Sequence, residues 1–403
     1  MIYKNIYGGI VLKKNIFIGC GTALVTPFTE DGIDFDTLKK LIDFQIQQGT
    51  DALIILGTTG ESSTMTLEEK KQVAKFAIDN VHKQIPVIVG AGGNNTKAVI
   101  EFSKYAESIG ADGLLLVTPY YNKTTQNGLI MHYTEIAKNT SLPIILYNVP
   151  SRTGLNIEPK TCLELSKIPN IVAIKEASGN ISQIAKIASL CGDNLHIYSG
   201  NDDQTLPILS LGGIGVISVL SNIAPKFVHN MVFDYLSGNY TLAKDSQIKS
   251  ISLIDSLFCE TNPIPVKSAL SMMGYDSMRV RLPLVTMSLE KQKILETEMK
   301  KFNLIWFLLT KRGCICNLFL LKSYSSSMSP KISPNKPSKH LVALTCSIKS
   351  SIASIHPCVS FSIISSIKSS SMISSIYFLR GFCRSVSTAL LMAVPSTDIV
   401  NAW

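Results

Sequence analysis

The sequence predicts an α/β fold: a closed (β/α)8 barrel of the TIM type with a small helical C-terminal extension. Three observations carry this. Eight short apolar runs, at 22–28, 52–56, 86–90, 113–118, 143–148, 171–175, 195–199 and 215–220, each end in or near Gly, Thr, Asn or Ser. The runs are continuous rather than alternating, as parallel strands buried on both faces require. Amphipathic segments follow them, and no GxGxxG follows the first run. An open, doubly wound sheet, the alternative, would normally need fewer strands and that glycine pattern.

The elements follow in order. Residues 1–15 read as an N-terminal extension. Its apolar stretch from Ile6 to Leu12 follows Lys4 and precedes Ile18-Gly19-Cys20, a faint likeness to a lipoprotein cleavage site. Lys13 and Lys14 interrupt the run, which is short for a signal core, so an extended start leading into a first strand is expected. The segments 37–48, 67–82, 95–108 and 128–139 place apolar residues three and four apart, with polar residues on the other side, and read as helices. Gly49, Gly110 and Pro143 punctuate the returns to strand. Strands and helices of the barrel are expected within 16–224. The stretch 225–306 is longer than one closing helix and reads as the final barrel helix plus the helical extension.

Residues 307–403 differ. They hold 23 serines, ten basic residues and one acid, Asp398. The chain's formal charge of +9 therefore belongs to this tail, because residues 1–306 carry 28 basic and 28 acidic side chains. The charge gives no ground for nucleic-acid binding by the barrel. Disordered tails are poor in Ile, Leu and Phe, yet this one is rich in them. The expectation is that it is no folded domain but translation past a lost stop or in a wrong frame; a membrane-surface or partner-binding tail is the rival. No 18-residue apolar run suggests a spanning helix. Cys20, Cys162, Cys191 and Cys259 are scattered, with no CxxC, which points to a reducing, cytoplasmic compartment. The histidines do not cluster, so no metal site and no cofactor is expected.

In a (β/α)8 barrel the active site lies at the C-terminal ends of the strands. The second run ends in Gly57-Thr58-Thr59-Gly60-Glu61-Ser62. Such a loop can cradle a small carboxylate with N–H groups and hydroxyls, or be an ordinary turn in which Ser62 or Ser63 caps the next helix. The fourth run ends in Thr118-Pro119-Tyr120-Tyr121-Asn122, and the fifth in Tyr147-Asn148-Val149-Pro150 followed by Ser151-Arg152. The tyrosines could be barrel caps. Arg152 could be a solvated charge or a bidentate carboxylate clamp. The sixth run, Val172-Ala173-Ile174-Lys175, puts a lysine at the end of an apolar strand. Facing inward, a desolvated amine favours its neutral, nucleophilic form; at the rim it would pair with a carboxylate. Alone, each residue leaves both readings open. Together, a nucleophilic amine, tyrosine hydroxyls, a carboxylate-sized nest and an arginine on one face suit imine chemistry, in which the protonated imine is the electron sink.

At these residues the chain closely resembles the dihydrodipicolinate synthase / N-acetylneuraminate lyase family. GTTGES at 57–62, TPYYN at 118–122, YNVPSRTG at 147–154, AIKEAS at 173–178, YSGND at 198–202, GVISV at 215–219 and NPIPVK at 262–267 occur in order. The synthase branch pairs two threonines with the arginine after YNVP, here Thr58, Thr59 and Arg152. The resemblance implies condensation of pyruvate with L-aspartate 4-semialdehyde through a lysine Schiff base, toward diaminopimelate and lysine. It implies that Lys175 forms the imine and that Thr58 and Thr59 hold the pyruvate carboxylate. Tyr147 would pass protons, linked through Thr59 to Tyr121, which in the family reaches in from a neighbouring subunit. Arg152 would bind the semialdehyde carboxylate and steady Tyr147, and the backbone at Gly200 and Ile217 would line the pocket. A homotetramer built as a dimer of dimers is implied. Ser62, Asn94 and Tyr120 match the family's feedback site for L-lysine, but Lys70 and Ala98 stand where lysine-sensitive members carry His and Glu, so weak or no inhibition is expected. The alternatives are another pyruvate-dependent class I aldolase of the family, such as an N-acetylneuraminate lyase or a 2-keto-3-deoxy sugar acid aldolase, and a catalytically dead barrel, which would lack the lysine or tyrosine.

Overall fold

The computed structural model describes residues 13–305 and two short strands, Tyr377–Cys383 and Val386–Met392. Eight strands close into a parallel barrel in sequence order: β1 (Gly19–Ala23), β2 (Ala52–Ile55), β3 (Val87–Gly90), β4 (Gly113–Val117), β5 (Ile144–Asn148), β6 (Ile171–Glu176), β7 (His196–Ser199) and β8 (Gly215–Ser218). Nearly every strand residue is buried, which is why the runs are apolar throughout.

The first strand lies three residues earlier than the run at 22–28 suggests. Closure explains the shift. β1 meets β8 through Gly19↔Gly215, where a Cβ on Gly215 would sit 2.1 Å from the Gly19 carbonyl oxygen. Only glycine fits, and Gly19 holds φ at +112°. A strand built from Gly19-Cys20-Gly21 is small rather than apolar, so periodicity overlooks it. Cys20 is fully buried inside this strand.

The surrounding helices are α1 (Phe35–Gln47), α2 (Leu67–Val81), α3 (Thr96–Ser108), α4 (Gln126–Ala137), α5 (Pro150–Thr153), α6 (Pro159–Ser166), α7 (Ile181–Cys191) and α8 (Thr205–Ser210). The C-terminal helices are α9 (Pro225–Leu236), α10 (Tyr240–Phe258), α11 (Ile264–Met272) and α12 (Leu289–Lys301). Side chains set several starts. Asp34 accepts from Thr37 N to begin α1, Asn95 caps α3, Thr125 caps α4 and Asn180 caps α7. At α2 the cap is Thr66, paired with Glu69 in a reciprocal capping box, and not Ser62 or Ser63, which open a 3-10 turn at Ser62–Thr64. Each such cap is worth ~1 kcal/mol.

Two apolar layers result. One fills the barrel interior, with Phe17, Ile54, Ile88, Leu115, Tyr147, Tyr198 and Ile217; the other packs the strands against the helices. Phe17 precedes β1, stacks on Tyr198 at 4.4 Å between ring centroids, and accepts the Tyr198 hydroxyl through its carbonyl at 2.6 Å. It plugs the end of the barrel opposite the strand C-termini. The expectations for 1–12 and for most of 307–403 lie outside the described residues. Within the latter, β9 (Tyr377–Cys383) and β10 (Val386–Met392) pair antiparallel, with Cys383 opposite Val386.

Candidate active site

Lys175 and Tyr147 stand side by side because β5 and β6 pair them directly in register, and Tyr198 on β7 is the next partner of Lys175. Register partners of a parallel sheet share a face, so these three side chains point into the barrel. Lys175 is 5% exposed, and its Nζ lies 4.4 Å from the centroid of the Tyr147 ring. Among the described residues it forms no ion pair, so the rim salt bridge is not what the lysine does. The next residue, Glu176, turns to the opposite face. There its carboxylate accepts from Asn148 Nδ2 at 3.1 Å and from Ser178 N at 2.8 Å. Burial pushes Glu176 above the usual carboxylate range, against the pull of these donors. This network locks the ends of β5 and β6 together and so fixes the Lys175–Tyr147 spacing.

Gly200 follows β7. A Cβ there would lie 2.7 Å from Ala177 Cβ, 3.0 Å from Glu176 O and 3.1 Å from Lys175 Cε. The lysine stem therefore lies against bare backbone. Ile217, on β8, is fully buried in the barrel interior. Asp202, also buried, accepts from Val219 N at 2.9 Å and Leu220 N at 3.0 Å, fixing the chain just beyond β8. Burial raises the Asp202 carboxyl above the usual range, opposed by Ser218, these N–H groups and the charge of Lys175.

The loop after β2 carries Thr58 and Thr59. It runs through Leu56 at φ 56° and Glu61 at φ 55°, left-handed conformations that cost energy for residues other than glycine. The loop is held from the far end of the chain. Glu61 and Lys267, the latter on α11, form an ion pair at 2.5 Å, with both side chains 1% exposed. Lys267 Nζ also donates to Arg279 O at 2.6 Å and lies 4.1 Å from the centroid of Phe28. Arg281 N donates to Glu61 Oε2 at 3.1 Å. Burial pulls Lys267 down to about 8, while the Glu61 carboxylate pulls it up. Thr59, 3% exposed, accepts from Asn262 Nδ2 at 2.9 Å.

Arg152, on α5, is an exposed residue whose Nη2 donates to the Asn262 carbonyl at 3.2 Å. Tyr121 is 93% exposed, with φ at 69°. Among the described residues no hydrogen bond joins Thr59, Tyr147 and Tyr121, and none joins Arg152 to Tyr147. Sequence reading misses Asn262 and the Glu61–Lys267 pair, although NPIPVK contains both Asn262 and Lys267; that motif is the signal that could have pointed to them. Of the residues expected to match a feedback site, Asn94 donates through Nδ2 to Tyr120 O at 3.1 Å. Lys70 is partly buried, which lowers its pKa, and Ala98 is exposed. No group of three or more His, Cys, Asp or Glu that could hold a metal occurs among the described residues.

The Dihydrodipicolinate synthetase family model matches residues 16–302. A 4-hydroxy-tetrahydrodipicolinate synthase of Clostridium acetobutylicum is 56% identical over 291 residues, covering 72% of this chain and 99% of that protein. The crystal structure of dihydrodipicolinate synthase from Thermotoga maritima superposes with a TM-score of 0.71 at 44% identity, covering 72% of this chain and 100% of that one. A dihydrodipicolinate synthase variant described as monomeric superposes equally well, with a TM-score of 0.71, 44% identity and coverage of 72% and 98%. The chain belongs to the dihydrodipicolinate synthetase family.

Proposed function

We infer that the chain is a Schiff-base-forming lyase with 4-hydroxy-tetrahydrodipicolinate synthase activity, condensing pyruvate with L-aspartate 4-semialdehyde on the route to diaminopimelate and lysine. The observation that carries this is Lys175, buried, without an ion-pair partner among the described residues, and packed against the Tyr147 ring at the mouth end of β6. Its amine attacks the ketone carbon of pyruvate, and loss of water gives the imine. The protonated imine draws electrons from the neighbouring carbon, which loses a proton and adds to the aldehyde of the second substrate. Attack by that substrate's own amine then releases the product from Lys175.

Tyr147 moves protons in these steps, together with Thr59 and Tyr121. Thr58 and Thr59 hold the pyruvate carboxylate, and the backbone at Gly200 and Ile217 lines the pocket. Arg152, at the edge of the site, binds the carboxylate of the semialdehyde. Positioned acid–base groups of this kind contribute on the order of 10²–10⁴-fold each.

Tyr121 is 93% exposed, so its side chain is open to contact from a second copy of the chain. A homotetramer, a dimer of dimers with Tyr121 crossing the tight interface, is the proposed assembly, and light scattering of the purified protein measures it. A cytoplasmic location fits the four free cysteines among the described residues. No helix among those residues is long and apolar enough to cross a membrane.

A coupled assay with pyruvate and L-aspartate 4-semialdehyde, on the full chain and on a chain cut after Trp306, tests the activity. Turnover of this pair supports it. No turnover, with cleavage of N-acetylneuraminate or a 2-keto-3-deoxy sugar acid instead, would replace it with the aldolase alternative.

A further inference from the structure

Asn262 lies between α10 and α11 and is 6% exposed. Its Nδ2 donates to Thr59 Oγ1 at 2.9 Å, while its main-chain carbonyl accepts from Arg152 Nη2 at 3.2 Å. One residue thus touches the threonine that takes the pyruvate carboxylate and the arginine that takes the carboxylate of the aldehyde. The amide oxygen Oδ1 is buried and has no partner among the described residues, so the bond to Thr59 is the one that orients the amide. An amide nitrogen only donates, whereas a hydroxyl has one proton and two acceptor positions. Thr59 therefore accepts from Asn262, and its own proton is directed elsewhere, free for an anionic or phenolic oxygen in the site.

We propose that Asn262 is a positioning residue with two separable tasks: its side chain keeps Thr59 a hydrogen-bond donor, and its main chain tethers Arg152. The proposal rests on the functional reading above. Mutation separates the tasks, because a substitution removes the side chain and leaves the carbonyl in place.

The test is steady-state kinetics with both substrates, plus the rate of borohydride trapping with pyruvate alone, on the full chain. Asn262→Ala is expected to slow trapping and lower kcat/KM for pyruvate by about tenfold, the worth of one hydrogen bond. KM for the semialdehyde should change by less than about threefold, since the Arg152 tether survives. Asn262→Asp is nearly isosteric but can only accept. It turns the Thr59 proton away from the site and sets a negative charge beside the place of a carboxylate, so a loss of roughly 100-fold or more is expected. A merely space-filling role leaves the alanine loss undiminished when Thr59 is already replaced. In a Thr59→Val background, Asn262→Ala should add less than about twofold.

If Asn262→Ala lowers the thermal midpoint too far for assay, Asn262→Ser replaces it, and the same order is expected: serine milder than aspartate. A parent protein that fails to turn over the two substrates sinks the functional reading. An active parent with aspartate milder than alanine or serine, with multiplying effects in the Thr59→Val background, or with a semialdehyde KM rising as far as that of pyruvate, overturns the assignment of Asn262.

Discussion

Lys267→Met removes one half of an ion pair whose two side chains are each 1% exposed. Methionine is close to the lysine stem in length, so the volume is largely kept, while the charge, its contact with the Phe28 ring and the hydrogen bond to Arg279 O are lost together. What remains is the Glu61 carboxylate, buried and without its cation. Breaking a buried pair in this way costs about 3–5 kcal/mol, because the remaining charge is uncompensated. With roughly 2–4 °C per kcal/mol in a domain of this class, the thermal midpoint should fall by roughly 6–20 °C. The loss should reach the active site, because Glu61 anchors the loop that carries Thr58 and Thr59 and holds the left-handed turn at φ 55°.

The double variant Glu61→Gln/Lys267→Met separates charge from shape. The amide that replaces the carboxylate keeps an oxygen for Arg281 N, which donates to Glu61 at 3.1 Å in the parent. With no charge left to desolvate, at least half of the lost stability should return. Thermal unfolding followed by circular dichroism, on the parent, both single variants and the double, measures the coupling. A Lys267→Met protein within about 1 kcal/mol of the parent, or a double variant that falls by the sum of the singles, would refute the reasoning that this pair braces the loop.

Three further predictions concern other parts of the molecule. Gly200→Ala places a methyl group 2.7 Å from Ala177 Cβ and 3.1 Å from Lys175 Cε, so kcat/KM should fall roughly 10–100-fold through displacement of the lysine, with a stability loss of about 1–3 kcal/mol; parent-like kinetics would contradict this. Arg281 holds the Glu69 carboxyl down to about 2 by hydrogen bond and charge, below its ordinary 4.5. The group thus stabilises the fold fully above about pH 4.5 and loses that contribution as pH falls toward about 2; a thermal midpoint measured across this window should drop less steeply in Glu69→Gln than in the parent. L-Lysine should inhibit weakly or not at all, because Lys70 and Ala98 leave a cation and no carboxylate where the effector's ammonium needs an anion; half-maximal inhibition below about 1 mM, an affinity of more than about 4 kcal/mol, would overturn this.

The barrel is legible in the sequence because its strands are buried on both faces, and burial writes itself as continuous apolar runs such as 52–56 and 171–175. β1 escapes this signal: closure against Gly215 demands Gly19, and small residues do not read as apolar. Helix caps are legible as residue types but not as positions, since Thr66 with Glu69 displaces the equally suitable Ser62 and Ser63. Lys175 is visible as a charge at the end of an apolar strand. Lys267 is not, because it lies in a helix where a lysine ordinarily faces solvent, and its partner Glu61 is distant in sequence. Asn262 is hidden for the same reason. Its importance comes from meeting Thr59 and Arg152, contacts that exist only once the chain returns over the barrel mouth after α10.

The most direct test of the central assignment, imine formation by Lys175, is borohydride reduction in the presence of pyruvate followed by peptide mass spectrometry, on the parent and on Lys175→Ala. The expected result is one reduced pyruvate unit on the peptide containing Lys175 in the parent and none in the variant. A label on another lysine, Lys267 included, or trapping that persists in Lys175→Ala, would contradict it.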